Sequence, residues 1–171
     1  MPLFGKRPAP SQPEFKDDAL AEVAEMFFNY GPEPTPGVEL LDTLRLDFTV
    51  ESLRHVDDYL EAIAARARTD RETQVIVLRC GAYVGEAIRR NSARSPIYHW
   101  LDYDEAIRLD NRVGSFGGKS LALMAVLWSG TGFTFPLNKV GKFLENGRED
   151  STYFYAAATI ANDSRHSTGS R

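Results

Sequence analysis

Several residue types that build common functional sites are scarce or absent in this chain. Cys80 is the only cysteine in 171 residues, which excludes an intramolecular disulfide and a zinc site built from several cysteines. No apolar run approaches the roughly 20 residues that span a bilayer, so we expect no membrane association. The net charge of -4 argues against nucleic-acid binding, because proteins of that class usually carry a basic face. Residues 1–8 have no apolar core of signal-peptide length, which predicts a cytoplasmic location.

Catalytic and cofactor-binding motifs are also missing. Residues 117–120, Gly-Gly-Lys-Ser, resemble the end of a phosphate-binding loop, but that motif needs a glycine where this chain has Val113. No Gly-x-Ser-x-Gly sequence marks a serine nucleophile. His99 and Asp102, which would have to share a metal ion, would lie on opposite faces of a continuous strand. We therefore expect no bound cofactor or metal, and the sequence favours a protein without enzymatic activity.

Proline and polar residues divide the chain into an arm, a domain and a tail. Residues 1–15 are rich in proline and poor in apolar side chains, which predicts a flexible arm. Residues 163–171 are polar and predict a flexible tail. Residues 16–162 are long enough to bury a core in one domain without disulfides or metal.

Hydrophobic periodicity predicts helices at both ends of this domain and strands between them. Apolar residues at helical spacing predict helices over residues 17–30, 49–68, 71–91, 137–145 and from 149 onward. Short apolar segments separated by turn residues predict an antiparallel meander with strands over 97–101, 106–109, 120–127 and 133–135. Because strands and helices do not alternate, we predict an α+β fold with helices packed on a small antiparallel sheet.

The segment 71–91 is predicted to be the central helix of the domain. It is apolar or small around most of its circumference, so it should be buried on most sides. Gly81 and Gly85 lie four residues apart within it, and each glycine costs about 1 kcal/mol relative to alanine inside a helix. We therefore expect another backbone to pass closely over that face, with room for a ligand as the alternative.

One narrow row of polar side chains on this helix is the candidate functional site. We call it the polar seam, and it consists of Arg79, Tyr83, Glu86 and Arg90, with Arg89 further round. Glu86 and Arg90 have the spacing of an exposed ion pair, so one interpretation is that the seam is the only wet edge of the helix. The other is that it lines a cleft beside the predicted 97–101 strand and its continuation. The ligand-binding candidates are then Tyr83, Glu86, Arg90, Trp100 and Asp102.

Three parts of the sequence together resemble one group of proteins. They are GAYVGEAIRRN at residues 81–91, Trp100, and PLNKVGKFLENGREDS at residues 136–151. They resemble a group of small bacterial proteins known only as domains of unknown function, over about residues 50–160. The resemblance implies a soluble, single-domain bacterial protein and brings no catalytic residues with it.

The leading functional hypothesis is a cytoplasmic protein-interaction domain, immunity- or adaptor-like, that binds a partner protein through a face near the 71–91 helix. It follows from a sizeable core, a proline-rich arm and the lack of a complete catalytic constellation. The alternative is a small-molecule-binding protein or minor hydrolase. That protein would use Tyr83, Glu86 and Arg90 in a polar cleft beside the same helix.

Overall fold

Helices surround a short antiparallel sheet in the computed structural model, which describes residues 12–92, 98–118 and 120–166. The helices are α1 (Asp17–Glu25), α2 (Leu53–Ala64), α3 (Asp70–Asn91), α4 (Tyr103–Leu109), α5 (Pro136–Asn146) and α6 (Thr152–His166). The strands β1 (His99–Asp102), β2 (Ala125–Trp128) and β3 (Phe133–Thr134) pair antiparallel in that order. The predicted α+β class, with helices on a small antiparallel sheet in a single domain, is confirmed.

The helix α3 is the centre of the domain, as the sequence predicts. It begins at a capping box in which Thr69 and Glu72 satisfy each other's backbone N–H groups. Residues 76–88 are buried except for the half-buried Leu78, and they form the middle of the main hydrophobic core. The helices α1 and α5 both pack against α3. Residues 75–78, which are rich enough in β-branched side chains to suggest a strand, are helical.

Both glycines of α3 lie under close contacts. A Cβ atom on Gly81 would lie 2.7 Å from Cα of Leu137, so the backbone of α5 crosses α3 at this point. A Cβ atom on Gly85 would lie 2.1 Å from Cζ2 of Trp100, so the indole ring occupies that space. Close packing is therefore confirmed at both positions. At Gly85 the packing partner is a side chain of β1 rather than a backbone.

The first two helices end earlier than predicted because local hydrogen bonds turn the chain. After α1, the hydroxyl of Thr35 donates to the carbonyl of Met26 at 3.1 Å, and the helix ends short of residue 30. After α2, the Arg68 guanidinium folds back and donates to the carbonyl of Ile63, so this helix ends short of residue 68. Side-chain groups thus satisfy the carbonyls that a longer helix would have used.

The predicted meander is wrong in one segment, because residues 106–109 belong to α4 rather than to a strand. The Asp102 side chain caps this helix by accepting a hydrogen bond from the N–H of Glu105 at 2.8 Å. Residues 120–127 divide into a 3-10 turn, Leu121–Leu123, and the strand β2. Ile97 of the predicted 97–101 strand and Lys119 of the 117–120 segment lie outside the described residues.

The chain is ordered beyond both ends of the predicted domain: a residue before it packs on β1, and the last helix continues past its end. Phe15 stacks on His99 with ring centroids 4.0 Å apart, although we expected a flexible arm there. The N–H of Lys16 donates to the carbonyl of Trp100 at 2.8 Å. The helix α6 extends to His166, although we expected a flexible tail from residue 163 onward. Residues 1–11 and 167–171 lie outside the described residues.

A buried carboxylate joins α2 to the start of α6. Asp57 is 4% exposed and accepts three hydrogen bonds. The donors are the N–H of Thr152 at 2.8 Å, its hydroxyl at 2.6 Å and the hydroxyl of Ser151 at 2.5 Å. A negative charge is favourable at the positive end of a helix, so Asp57 holds the last helix against the second.

Candidate functional site on the central helix

The polar seam separates into three different environments in the structure. Arg79 lies under a surface groove, Tyr83 lies inside the core, and Glu86 lies beneath Arg89 and Arg90. Helical spacing places these side chains on adjacent faces of the helix, but a different part of the protein packs over each face. Each environment has its own chemistry.

Glu86 is fully buried, and its carboxylate is the centre of a hydrogen-bond cluster. Oε1 accepts from Nε of Arg89 at 2.8 Å and from Nε1 of Trp100 at 2.9 Å. Oε2 accepts from Nε of Arg90 at 3.0 Å and from Nη2 of Arg89 at 3.1 Å. The interpretation as an exposed surface pair is therefore wrong for Glu86, which is 0% exposed.

The Glu86 cluster holds β1 against α3. The hydrogen bond to Glu86 raises the pKa of the Arg89 guanidinium above its ordinary value. With four donors around two oxygen atoms, the carboxylate has its lone pairs occupied. A carboxylate in this state is poorly placed to take a proton from a substrate, because a general base must reach that proton directly. The cluster is built to join two elements.

Tyr83 points away from Glu86 into an aromatic cluster. Its hydroxyl accepts from the N–H of Phe48 at 3.0 Å and shares a hydrogen bond with the hydroxyl of Ser52 at 2.7 Å. Burial raises the pKa of this phenol. The Phe48 ring stacks on Tyr83 at 4.6 Å, and the Arg90 guanidinium lies 3.8 Å from the centroid of the Phe48 ring.

The loop residue that contacts Tyr83 and Arg90 has a strained backbone. Phe48 has φ = 61°, a left-handed conformation that bulky side chains rarely adopt. Asn91 stabilises it by donating from Nδ2 to the Phe48 carbonyl at 2.7 Å. Tyr83 therefore fixes a loop on the core and does not share a cleft with Glu86.

The two candidates from β1 have separate roles. Trp100 is fully buried and donates to Glu86, so Trp100, Glu86 and Arg90 lie together in one cluster. Asp102 instead caps α4. The structure thus brings three of the five candidate residues into one cluster and leaves Tyr83 and Asp102 outside it.

Arg79 is the residue of the polar seam that lines a surface groove. It is 8% exposed, and Nη1 donates to the carbonyl of Glu33 at 2.8 Å and to the hydroxyl of Thr35 at 3.4 Å. In the described part of the chain, no carboxylate forms an ion pair with it. It is thus a buried cation held by neutral acceptors.

Two adjoining cavities share Arg79 and Glu33 in their walls, and we call them together the Arg79 groove. The first has a volume of about 240 Å³, and its other lining residues are Met26, Asn29, Gly31 and Pro32. The second has a volume of about 270 Å³ and is further lined by Pro34, Pro36, Arg71, Glu72 and Val75. Two further cavities lie elsewhere on the described surface, and none of these four is lined by Glu86, Tyr83 or Trp100.

Sequence reasoning missed a contact that ties the start of α1 to β1. Asp17 accepts from the N–H of Trp100 at 2.7 Å, and its other oxygen lies 2.7 Å from Nδ1 of His99. An aspartate in the first helical turn was a visible signal, but it indicated only the helix dipole. The sequence could not show that a strand more than 80 residues away would meet it.

The remaining reactive groups near the core offer little to catalysis. Burial raises the pKa of the Cys80 thiol well above its ordinary value, which disfavours the nucleophilic thiolate. Within residues 12–92, 98–118 and 120–166, no three His, Cys, Asp or Glu side chains converge as metal ligands.

Comparisons with protein-family models, curated proteins and solved structures find no match to this chain. The resemblance over about residues 50–160 stays a prediction. In the part of the chain that the structure describes, no helix combines the length and apolarity needed to cross a membrane.

Proposed function

We propose that this protein is a non-enzymatic protein-interaction domain, immunity- or adaptor-like, that takes a segment of a partner protein into the Arg79 groove. The single observation that carries the proposal is the state of Arg79. Arg79 is 8% exposed, its guanidinium has neutral acceptors only, and the residue lines both cavities.

A buried cation without a counter-charge is energetically costly. Desolvation of a charged side chain costs several kcal/mol, and hydrogen bonds or a paired charge must offset it. Arg79 recovers part of this cost from the Glu33 carbonyl and the Thr35 hydroxyl. An anionic group brought by a partner would recover more, and the groove gives it access.

The surface around the groove has the composition of a protein interface. Met26 lines the groove and is 46% exposed, and Tyr30 nearby in the chain is 67% exposed. Methionine, tyrosine and arginine are enriched at protein–protein contacts. These features favour a protein segment as the ligand.

Small-molecule binding or hydrolysis at Tyr83, Glu86 and Arg90 is the second candidate. Those groups are engaged with Ser52, Phe48 and Trp100. A ligand there would have to replace several internal hydrogen bonds, so we rank this function below partner binding.

Charge variants at the rim of the groove test the proposal. Met26→Glu places a negative charge beside Arg79, whereas Met26→Lys introduces a side chain of similar length and opposite charge. Met124→Glu is a matched control, because Met124 is 39% exposed and lines none of the four cavities. The assay is affinity capture from cells of the source organism.

We expect the original chain, Met26→Lys and Met124→Glu to retain one stoichiometric partner that Met26→Glu loses. Equal capture by Met26→Glu would contradict the proposal. A co-purifying metabolite in place of a protein would favour the second candidate.

A further inference from the structure

One edge of the Arg79 guanidinium has no acceptor among the described residues. Nη1 makes both hydrogen bonds of this side chain, which leaves Nε and Nη2. Arg68 Nε is the one buried side-chain nitrogen or oxygen atom without a partner in the described part of the chain. The two remaining Arg79 nitrogens therefore each keep some solvent-accessible surface, and Arg79 lines both cavities of the Arg79 groove.

The free edge has the geometry of a carboxylate-binding fork. Nε and Nη2 lie side by side in one plane, and their N–H groups are parallel. A carboxylate accepts such a pair with both oxygen atoms, which makes a short and strong bidentate contact. Lysine could not offer this fork, because its ammonium group is a point charge.

The charges at the rim favour one negative charge over two. Glu33 and Glu72 both line the second cavity, and the one exposed cation there is Arg71, whose Nη2 lies 4.0 Å from the Glu33 carboxylate. A phosphate group carries about -1.5 to -2 at neutral pH and would be repelled more strongly than a carboxylate. The site therefore favours a carboxylate as the anion.

Apolar surface surrounds the fork on both sides. Met26 and Pro32 line the first cavity, and Pro34, Pro36 and Val75 line the second. A Cβ atom on Gly31 would meet nothing within 4 Å, so the first cavity is open at that wall. An apolar side chain placed beside the carboxylate would gain about 25 cal/mol for each Å² of apolar surface that leaves water.

We infer that the Arg79 groove binds the C-terminal residue of a partner chain, with its carboxylate on the Nε–Nη2 edge and an apolar side chain in the adjoining cavity. The inference rests on the proposed function. A terminal carboxylate and its side chain are attached to the same Cα atom, so both fit a cation next to a small apolar cavity. An internal aspartate would need room for main chain to leave in two directions, past the end of α1 and over the loop of residues 31–36.

Short peptides with and without a terminal charge test this inference. The probes are acetylated tripeptide acids that end in Val, Leu, Ile, Met or Phe, and the amides of the same peptides. Each is titrated into the full chain to about 10 mM, ten times the dissociation constant of a millimolar ligand. The readout is the NMR resonance of the Arg79 Nε–H group, which a merely nearby contact would not shift strongly.

We expect at least one acid to shift the Arg79 Nε–H resonance and its amide to bind at least about tenfold more weakly, because a charge-assisted pair of hydrogen bonds is lost. Arg79→Lys should reduce this difference between acid and amide. Met26→Glu, which leaves the Arg79 contacts intact, should weaken binding of the acid by like-charge repulsion.

Four results would overturn the inference. One is equal binding of acid and amide. A second is equal binding of an amidated peptide with an internal aspartate, and a third is an equal shift with inorganic phosphate. The fourth is no response to any acid. If partner capture is still lost in Met26→Glu in these cases, the proposed function stands and only the identity of the bound group is wrong. If a peptide acid binds as expected but Met26→Glu captures the partner as well as the original chain does, the proposed function is contradicted.

Discussion

The two ends of the polar seam on α3 carry similar charged side chains but differ in what those side chains bond. At one end, Glu86 receives four hydrogen bonds from Arg89, Arg90 and Trp100, and no lone pair is left for a ligand. At the other end, Arg79 uses one of its three nitrogen atoms and keeps the others open to a groove. Burial is nearly complete at both ends, so burial does not separate a structural polar group from a binding one. The separating property is whether the protein itself satisfies the group.

The largest effect is expected from Glu86→Gln. Glu86 lies at the end of the polar seam where the protein itself satisfies the charged group, which we call the closed end. An amide cannot balance the charges of Arg89 and Arg90, and it turns an N–H group toward their donors. Breaking a buried ion pair costs about 3–5 kcal/mol, and we expect the lower end, about 3 kcal/mol, because the two arginines are 24% and 39% exposed. Thermal unfolding by circular dichroism measures the change.

The control for Glu86→Gln is Glu51→Gln, which removes another Glu–Arg pair at helical spacing. Glu51 pairs with Arg54 at 2.8 Å, but their side chains are 70% and 54% exposed. We expect an unchanged melting temperature for this variant. A similar melting temperature for Glu86→Gln and the original chain would mean that the closed end is not a structural cluster.

The next effect tests the packing that closes this end. Gly85→Ala places a Cβ atom 2.1 Å from the Trp100 ring, which must then shift and disturb its hydrogen bond to Glu86. We expect a loss of about 2 kcal/mol from overpacking. Gly141→Ala in α5 is the matched control, because its Cβ atom meets nothing within 4 Å and alanine should stabilise the helix by about 0.5–1 kcal/mol. Equal stability changes in the two variants would refute the packing argument.

A smaller effect is expected in the middle of the seam, from Tyr83→Phe. The substitution keeps the ring but removes the hydroxyl that accepts from the Phe48 N–H. One partly buried donor loses its partner, which costs about 1 kcal/mol. Tyr30→Phe is the control, since Tyr30 is 67% exposed and should tolerate the change. Chemical denaturation resolves a difference of this size, and no difference would mean that Tyr83 contributes through its ring alone.

Periodicity predicted the parts of the fold that depend on one helix. The bounds of α3, its central position and the close contacts over Gly81 and Gly85 follow from the residues of that segment. The wrong prediction of a strand over residues 106–109 shows the limit of hydrophobic periodicity, because the apolar residues there suit a strand or a helix. The sequence did contain the signal for a helix, because aspartate is a favourable N-cap residue and Asp102 caps α4.

The candidate site could be predicted only in part, because its partners are distant in sequence. Glu86 was predicted to meet the 97–104 region if it lined a cleft, and Trp100 is that contact, but it closes the site. The Arg79 groove depends on acceptors 44 and 46 residues away in a proline-rich loop. Periodicity in one helix carries no information on which loop will cover it.

Among these variants of α3, the smallest effect on stability is expected from Arg79→Lys, at the end of the seam that faces the groove, which we call the open end; this variant should also weaken recognition. Lysine keeps the charge and can still donate to the Glu33 carbonyl, so we expect a loss of less than about 1 kcal/mol. It removes the planar fork, so partner capture should weaken by about tenfold. Arg90→Lys makes the same exchange at the closed end, where Arg89 still contacts both Glu86 oxygens, and it should leave capture unchanged. The opposite result is that Arg79→Lys destabilises the chain as much as Glu86→Gln does and leaves partner capture intact. Both ends of the seam would then be structural. The contrast between a satisfied and an unsatisfied charge would not identify the binding site.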